Sequence, residues 1–142
     1  MMTRASVEQA LERHRQSFAS RDATRLAADH AEDGTFESPA AGIARGRTAI
    51  EGVYRYWLDA FPDMEFTWRA PVIDGHRAAL FWHFRGTVAG EYFGHTQRGA
   101  HIEFIGAAEY EFTPAGEIAS ARHVFDFTGS LVSTGALRVK PA

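Results

Sequence analysis

The sequence predicts an α+β fold in which helices pack on one face of a curved sheet. Apolar residues recur at helical spacing in the N-terminal part, and strand-like runs separated by hairpin signals fill most of the rest. Aromatic residues are abundant, with eleven Phe, three Trp and four Tyr, which indicates a large aromatic core or an apolar pocket. At 142 residues the chain fits a single domain, residues 1–142.

The N-terminal region predicts two helices. The first carries four residues at helical spacing on one face: Val7, Leu11, His14 and Phe18. Ser6, with Gln9 three residues later, resembles a capping box, and this helix ends near Ser20. Asp22 caps a second, short helix that stops before Asp33.

The next segment predicts a short strand and a third helix. The strand is TFES, residues 35–38, and Pro39 closes it. After a glycine-containing loop, Thr48 opens the helix and Pro62 ends it, because proline cannot continue a helix. The apolar positions of this helix are Ile50, Val53, Tyr54, Trp57, Leu58 and Phe61.

From residue 64 onward the pattern predicts an antiparallel meander. The strand-like runs are residues 64–73, 77–93, 101–113 and 117–128. They are separated by the turn signals DG, GHTQRG and PAG. Helices followed by a meander are typical of α+β domains.

One predicted strand carries bulky residues on both faces. In LFWHFR, the residues Leu80, Trp82 and Phe84 alternate with Phe81 and His83, whereas a half-solvated sheet should alternate apolar with polar residues. Helices can cover one face, and a second subunit is the natural cover for the other. The pattern therefore predicts a homodimer through the sheet; the alternative is that these are ordinary surface aromatics.

Composition and charge argue against several classes of function. There is no cysteine, so disulfides and thiolate metal sites are excluded. The stretch MMTRASVEQALERHR is neither a signal peptide nor a membrane span, so we expect a cytoplasmic protein without a membrane partner. A net charge of −3 with scattered basic residues disfavours nucleic acid. The seven histidines show no HExxH motif and no i, i+4 pair within a helix, so no metal site is expected.

The segment RHVFD, residues 122–126, places ionisable groups on a strand-like run. In a regular strand Arg122 and Asp126 share one face and His123 lies on the other. Ionisable groups are costly to bury without partners. His123 is therefore either a cavity-facing proton donor or acceptor, or a histidine satisfied by a backbone carbonyl at the edge of the core.

Three phrases resemble the SnoaL-like polyketide cyclase family of the nuclear transport factor 2-like superfamily: AFPDMEFTW, RGTVAGEYFGHTQRG and PAGEIASARHVFDFTGSL. Ketosteroid isomerases and limonene-type epoxide hydrolases are related to it. The resemblance implies a cone, with N-terminal helices on the concave face of a curved mixed sheet that encloses an apolar cavity. It also implies acid and base chemistry by side chains, without metal or organic cofactor.

The resemblance is incomplete at the positions that carry chemistry. In the SnoaL-like cyclases and the epoxide hydrolases, the last strand has a pattern like R-D-x-x-D, in which the first aspartate is catalytic. The arginine and the second aspartate of this pattern match Arg122 and Asp126, but His123 stands at the position of the catalytic aspartate. Imidazole also exchanges protons near neutral pH. The base of ketosteroid isomerase would fall at Ser38 and its phenol at His14, so steroid isomerisation of that kind is disfavoured.

The predicted function is cofactor-independent proton transfer, of a cyclase or isomerase type, on a small hydrophobic or polyketide-like molecule. His123 moves the proton, and His14 and Ser38 donate hydrogen bonds to the developing oxyanion. Asp126 orients a cavity group or caps a turn. Five aromatic residues line the pocket or fill the core: Tyr54, Trp57, Phe61, Trp82 and Tyr110. The alternatives are a non-catalytic small-molecule-binding protein and a hydrolase of the epoxide hydrolase type, with water activated by His123.

Overall fold

The computed structural model describes residues 2–94 and 97–142 and confirms the α+β fold. His95 and Thr96, in the predicted turn GHTQRG, lie outside the described residues. The helices of the described part are α1 (Arg4–Ser20), α2 (Ala23–Ala28), α3 (Arg47–Ala60) and α4 (Phe127–Ser133). Its strands are β1 (His30–Ser38), β2 (Gly42–Arg45), β3 (Glu65–Trp68), β4 (Val72–Asp74), β5 (Arg77–Thr87), β6 (His101–Phe112) and β7 (Ile118–Phe125).

The strands form one curved, mixed sheet, as predicted. Its order is β2-β1-β7-β6-β5-β3, and β4 pairs with β5 beside β3. Strands β1 and β7 pair in parallel, with Phe36 opposite Ala121, and the other pairs are antiparallel. The parallel pair brings the RHVFD segment next to the N-terminal strand.

The two faces of the sheet differ in exposure, which follows the alternation in LFWHFR. Leu80, Trp82 and Phe84 point inward and are buried beneath the helices. Phe81 points outward with 67% of its surface exposed, and Ile105 on β6 is 72% exposed. The core therefore lies between the helices and the inner face, while the outer face carries uncovered apolar residues.

The N-termini of α1 and α2 are closed by local side-chain caps. The predicted capping box of Ser6 and Gln9 is wrong, because Thr3 is the N-cap of α1 and Ser6 is its partner. The Ser6 N–H donates to Thr3 Oγ1 at 3.1 Å, and the Thr3 N–H donates to Ser6 Oγ at 2.8 Å. Asp22 caps α2, as predicted. Within residues 2–94 and 97–142, no helix combines the length and apolar character needed to cross a membrane.

The second helix gives way to strand β1 earlier than predicted. Helix α2 ends at Ala28 and β1 begins at His30, so the expectations of a helix reaching almost to Asp33 and of a strand confined to TFES are wrong. The pairing of β1 with β7 shifts register in this stretch. A Cβ on Gly34 would lie 3.0 Å from two backbone carbonyl oxygens, and glycine permits this approach within a strand.

Several boundaries depart from the predicted runs. Strand β2 occupies the predicted loop and pairs with β1. The run 64–73 divides into β3 and β4 on either side of Pro71, since proline cannot donate to a ladder. The run 117–128 leaves the sheet at Phe125, and Asp126 caps the unpredicted helix α4.

Candidate functional site

A mainly apolar cavity lies between helix α3 and the inner face of the sheet. Its volume is about 60 Å³. Most of its wall is aromatic and includes Phe36, Trp57, Phe66, Trp82, Phe84 and Phe104. Three polar side chains other than the indoles also line it: Ser38, Tyr54 and His123. Chemistry in this cavity would depend on these three groups.

A glycine on the neighbouring strand sets the position of the Trp82 indole. Trp82 on β5 pairs with Gly106 on β6, and a Cβ on Gly106 would overlap the indole ring. The absence of a side chain lets the ring lie across the backbone. Phe66 packs against the indole, with ring centroids 4.7 Å apart. The position of one wall of the cavity therefore depends on the glycine at position 106.

His123 projects from β7 into the cavity. It is 6% exposed, and its ring stacks on Phe36 with centroids 5.1 Å apart. Burial lowers the pKa of His123 to about 3, and the proximity of His14 adds to this effect. The imidazole is therefore neutral at physiological pH. Its Nε2 has no hydrogen-bond partner among the described residues.

The residues around His123 also carry buried polar atoms. The rings of Trp82 and Tyr110 lie with centroids 6.1 and 5.9 Å from that of His123. Trp82 Nε1 and the Tyr110 hydroxyl have no partner in the part of the chain that the structure describes. A buried polar atom without a partner costs about 1–3 kcal/mol. Several buried polar atoms without partners in one place are typical of a functional site.

Behind the cavity, a histidine on α1 bonds to an aspartate. His14 Nδ1 lies 2.8 Å from Asp29 Oδ2. Burial lowers the pKa of His14 despite the opposing effect of Asp29. Burial raises the pKa of Asp29, but several smaller effects, the hydrogen bond from His14 first among them, together outweigh it and leave the pKa below its usual value. A neutral His14 therefore donates its Nδ1–H to a carboxylate, which fixes the tautomer.

Tyr54 connects this pair to a second histidine. Its hydroxyl oxygen lies 2.7 Å from His30 Nε2 and 3.5 Å from His14 Nε2. Burial lowers the pKa of His30 to about 3 and raises that of Tyr54, so both are neutral. Because His14 carries its proton on Nδ1, its Nε2 can only accept. The arrangement that satisfies both contacts runs from His30 Nε2–H to Tyr54, then to His14 and Asp29.

Ser38 ends strand β1 at the cavity. Its Oγ accepts the Ala41 N–H at 3.0 Å, which closes the turn between β1 and β2. Among residues 2–94 and 97–142, no acceptor takes a hydrogen bond from the Ser38 hydroxyl. It can therefore donate to a bound oxygen without breaking the turn.

Comparison with known proteins places the chain in a family. The model of the family described as SnoaL-like polyketide cyclase matches residues 8–132. The chain belongs to this family. No curated protein matches it.

Solved structures with this fold share little sequence with the chain. AclR, a candidate hydroxylase from Streptomyces galilaeus, has 19% identity and a TM-score of 0.82, covering 98% of this chain and 87% of its own. TsrD from Streptomyces laurentii has 23% identity and a TM-score of 0.81, and the match covers 96% of this chain and 100% of TsrD. A candidate polyketide cyclase from Xanthomonas campestris pv. campestris has 16% identity and a TM-score of 0.77, and the match covers 92% of this chain and 98% of that protein. At these identities the similarity concerns the fold.

In this SnoaL-like protein, five predicted site residues line the cavity: Ser38, Tyr54, Trp57, Trp82 and His123. Two predicted aromatic residues lie outside the cavity wall. Phe61 is fully buried beside Trp57, with ring centroids 5.9 Å apart. Tyr110 is fully buried next to the ring of His123.

Two predicted polar residues of this SnoaL-like protein lie away from the cavity wall. His14 lies behind Tyr54 and bonds to Asp29. Asp126 is exposed and caps α4, where its Oδ1 accepts the Gly129 N–H at 2.8 Å. The turn-capping alternative stated for Asp126 therefore describes its contact in this structure.

Sequence reasoning missed Asp29 and His30 in this SnoaL-like protein. The signal was an adjacent carboxylate and imidazole followed by the apolar Ala31, where a short helix ends. Their convergence with His14 depends on tertiary packing, which periodicity does not show. In the described ranges, no three His, Asp or Glu side chains are grouped so that they could hold a metal ion.

Proposed function

We propose that this SnoaL-like protein is a cofactor-independent acid and base catalyst, of a cyclase or isomerase type, acting on a small hydrophobic or polyketide-like molecule. The observation that supports this proposal is the unpartnered Nε2 of His123 at the apolar cavity. A neutral imidazole with an uncommitted Nε2 can exchange a proton with a bound molecule.

The proposed reaction begins at a carbon acid beside a carbonyl group. In the tautomer whose Nε2 carries a lone pair, His123 takes the proton from carbon, and the C–H electron pair forms an enolate. The enolate is then protonated by the imidazolium at another carbon, which isomerises the molecule. In a cyclase, it instead attacks a second carbonyl, and the new alkoxide takes the proton from the imidazolium.

The low pKa of His123 defines what the substrate must provide. A base with a pKa of about 3 is weak, so proton transfer needs an anion that stabilises the imidazolium as it forms. The developing enolate supplies this charge inside the apolar cavity, where electrostatic attraction is strong. A substrate that forms a delocalised enolate, such as a 1,3-dicarbonyl compound, meets this requirement best.

Ser38 and Tyr54 have different roles in this scheme. Ser38 donates to the enolate oxygen, because its Oγ already accepts the Ala41 N–H and its own hydrogen is available. Tyr54 is held by His30 and His14, so it fixes one wall of the cavity. His14 acts through Tyr54 as a positioning residue, which replaces the direct contact with the oxyanion expected from the sequence.

The competing candidate is a small-molecule-binding protein without catalysis. The observation that favours it is the same low pKa of His123, because a weakly basic imidazole can serve as a hydrogen-bond partner without moving a proton. In that case a ligand polar group would pair with Nε2 and relieve the cost of burying it.

Replacing His123 with alanine separates the two candidates. Turnover and affinity are measured on a panel of polyketide-like 1,3-dicarbonyl esters and epoxides, with His76→Ala at an exposed turn as the control. Catalysis predicts that H123A loses about 100-fold or more in turnover while affinity changes little. Lower affinity in H123A, with no turnover by wild type on any compound, would support binding alone. Turnover of epoxides only would support the hydrolase.

We also propose that the chain forms a homodimer through the outer face of the sheet. Phe81, Ala107 and Val124 stand side by side across β5, β6 and β7. Phe81 and Val124 are 67% and 56% exposed. A second copy presents the same apolar row, so a twofold contact would cover both faces at once.

A further inference from the structure

A second, outer cavity lies against helix α3, next to the segments that carry Ala41 and Phe93. Its volume is about 470 Å³. The walls shared with the inner cavity are Val53 and Trp57. Together the two spaces fall in the range of small-molecule sites, about 300–1,000 Å³, whereas the inner cavity alone is far below it. The Trp57 side chain is half-buried and lines both spaces.

The lining of the outer cavity combines small and aromatic residues. Four small residues line it: Ala40, Ala41, Ala49 and Gly52. Tyr56 and Phe93 form an aromatic edge, with ring centroids 5.2 Å apart. Glu91 is the one charged residue among the described lining residues, and its carboxylate accepts the Gly94 N–H. This lining fits an apolar ring and repels an anion.

Phe93 has an unusual conformation at this edge. Its φ is 49°, in the left-handed region that residues with a Cβ rarely adopt. The residue is 38% exposed. The Phe93 N–H donates to the Tyr56 hydroxyl at 2.6 Å, which holds the backbone in place. A strained residue that presents an aromatic ring to a cavity is typical of a binding clamp.

We propose that the outer cavity is a second subsite, which binds the distal ring of the substrate between Tyr56 and Phe93 while the reacting carbonyl end passes Trp57 to reach His123. This inference rests on the proposed function and narrows its substrate class. The substrate is elongated, with a carbonyl group at one end and an uncharged apolar ring at the other. The shared lining residues Val53 and Trp57, which separate the two cavities by side chains alone, are the observation that links the subsites.

The test compares the binding of two probes of different length. Acetophenone carries one ring and 4-acetylbiphenyl carries a second ring in line with the first. Dissociation constants are measured by quenching of tryptophan fluorescence for wild type, Phe93→Gly and Ala49→Trp. Ala49 is exposed on α3, so the tryptophan fills the outer cavity without entering the core. Glycine at 93 adopts the left-handed conformation without strain, so this variant retains its backbone.

We expect wild type to bind the biphenyl ketone at least ten-fold more tightly than acetophenone. Phe93→Gly and Ala49→Trp should each remove that difference and leave acetophenone binding within two-fold of wild type. Equal affinity for the two ketones in wild type, or binding of neither, overturns the proposal. So does a preference that both variants retain. The same measurements in H123A separate this question from catalysis, because the ring preference should persist there even when turnover is absent.

Discussion

The imidazole of His123 stacks on the phenyl ring of Phe36, with ring centroids 5.1 Å apart and planes inclined by 29°. The two residues lie on the neighbouring strands β7 and β1. A ring at position 123 therefore contributes apolar packing that does not require its nitrogen atoms. The packing role of His123 and its chemical role can be measured separately.

Replacing His123 with phenylalanine should stabilise the protein. Phenylalanine keeps a ring against Phe36 and removes Nε2, which is buried without a partner among the described residues. We expect the free energy of unfolding, measured with urea at pH 7, to rise by about 1 kcal/mol. The exposed control His76→Gln should stay within about 0.5 kcal/mol of wild type. A clear loss of stability in H123F would mean that Nε2 supports the fold.

The free energy of unfolding should fall as the pH is lowered from 7 to 4. Burial lowers the pKa of His123 and of His30 to about 3 in the folded protein, whereas an unfolded histidine titrates near 6.5. Below pH 6.5 these two histidines are protonated in the unfolded chain but stay neutral in the folded protein. The stability from this difference is complete above pH 6.5 and is lost as the pH falls towards 3.

Each of these histidines contributes a slope of up to about 1.4 kcal/mol per pH unit. Urea unfolding at pH 7, 6, 5 and 4 measures the combined slope. The H123F variant should lose the share of His123 and keep that of His30. A slope that is identical in H123F and wild type would show that His123 titrates alike in the folded and unfolded states.

Replacing Asp29 with alanine should destabilise the protein by about 2 kcal/mol, because the buried His14 Nδ1–H loses a charged acceptor. The ¹⁵N spectrum of the imidazoles checks the mechanism: His14 should carry its proton on Nδ1 in wild type and become a mixture of tautomers in D29A. Asp59→Ala, on the exposed side of α3, is the control. A wild-type spectrum with the proton on Nε2 would contradict the direction proposed for the hydrogen-bond chain.

Two glycine-to-alanine changes should act in opposite directions. In Gly106→Ala the new methyl group overlaps the Trp82 indole, so the ring must shift and the free energy of unfolding should fall by more than about 2 kcal/mol. Gly52 lies in helix α3 with open space around its Cβ position, so Gly52→Ala should stabilise by about 0.5–1 kcal/mol. Near-ultraviolet circular dichroism should change in the first variant and stay constant in the second.

Replacing Phe81 with aspartate should convert the proposed dimer into a monomer. The side chain stands at one end of the exposed apolar row on β5, β6 and β7, where a charge would be buried by the partner. Light scattering coupled to size-exclusion chromatography measures the mass. Val139→Asp is the control, because Val139 is 73% exposed in the C-terminal segment after the sheet. A monomeric wild type at micromolar concentration would refute the dimer.

The sequence predicts the fold to the extent that local patterns determine it. Helix α3 begins and ends within about a residue of its predicted limits, because its apolar face and Pro62 are local signals. Strand β2 was missed because only its pairing with β1 makes it regular. The start of β1 was missed because its partner, β7, is distant in sequence. Helix α4 was missed because Asp126 sits within the strand-like run 117–128 and its capping contact lies on its C-terminal side.

The site divides in the same way. The sequence and the family resemblance place His123 and Ser38 at the cavity, because strand alternation fixes which side chains point inward. The hydrogen-bond chain through Tyr54 joins residues of α1, α3 and the start of β1. Nothing in local periodicity shows that these elements converge. The division of aromatic residues between cavity wall and core depends on packing for the same reason.

The parallel pairing of β1 with β7 also constrains how the chain reaches its folded state. The strand that carries His123 is the last of the sheet to be synthesised, yet its partner is the first. Contacts between residues so distant in sequence form slowly, because a long loop must close before they yield any stabilisation. We therefore expect closure of this pair to limit the folding rate. A nascent chain that stops before residue 118 would leave the inner edge of β1 open to pairing with other chains.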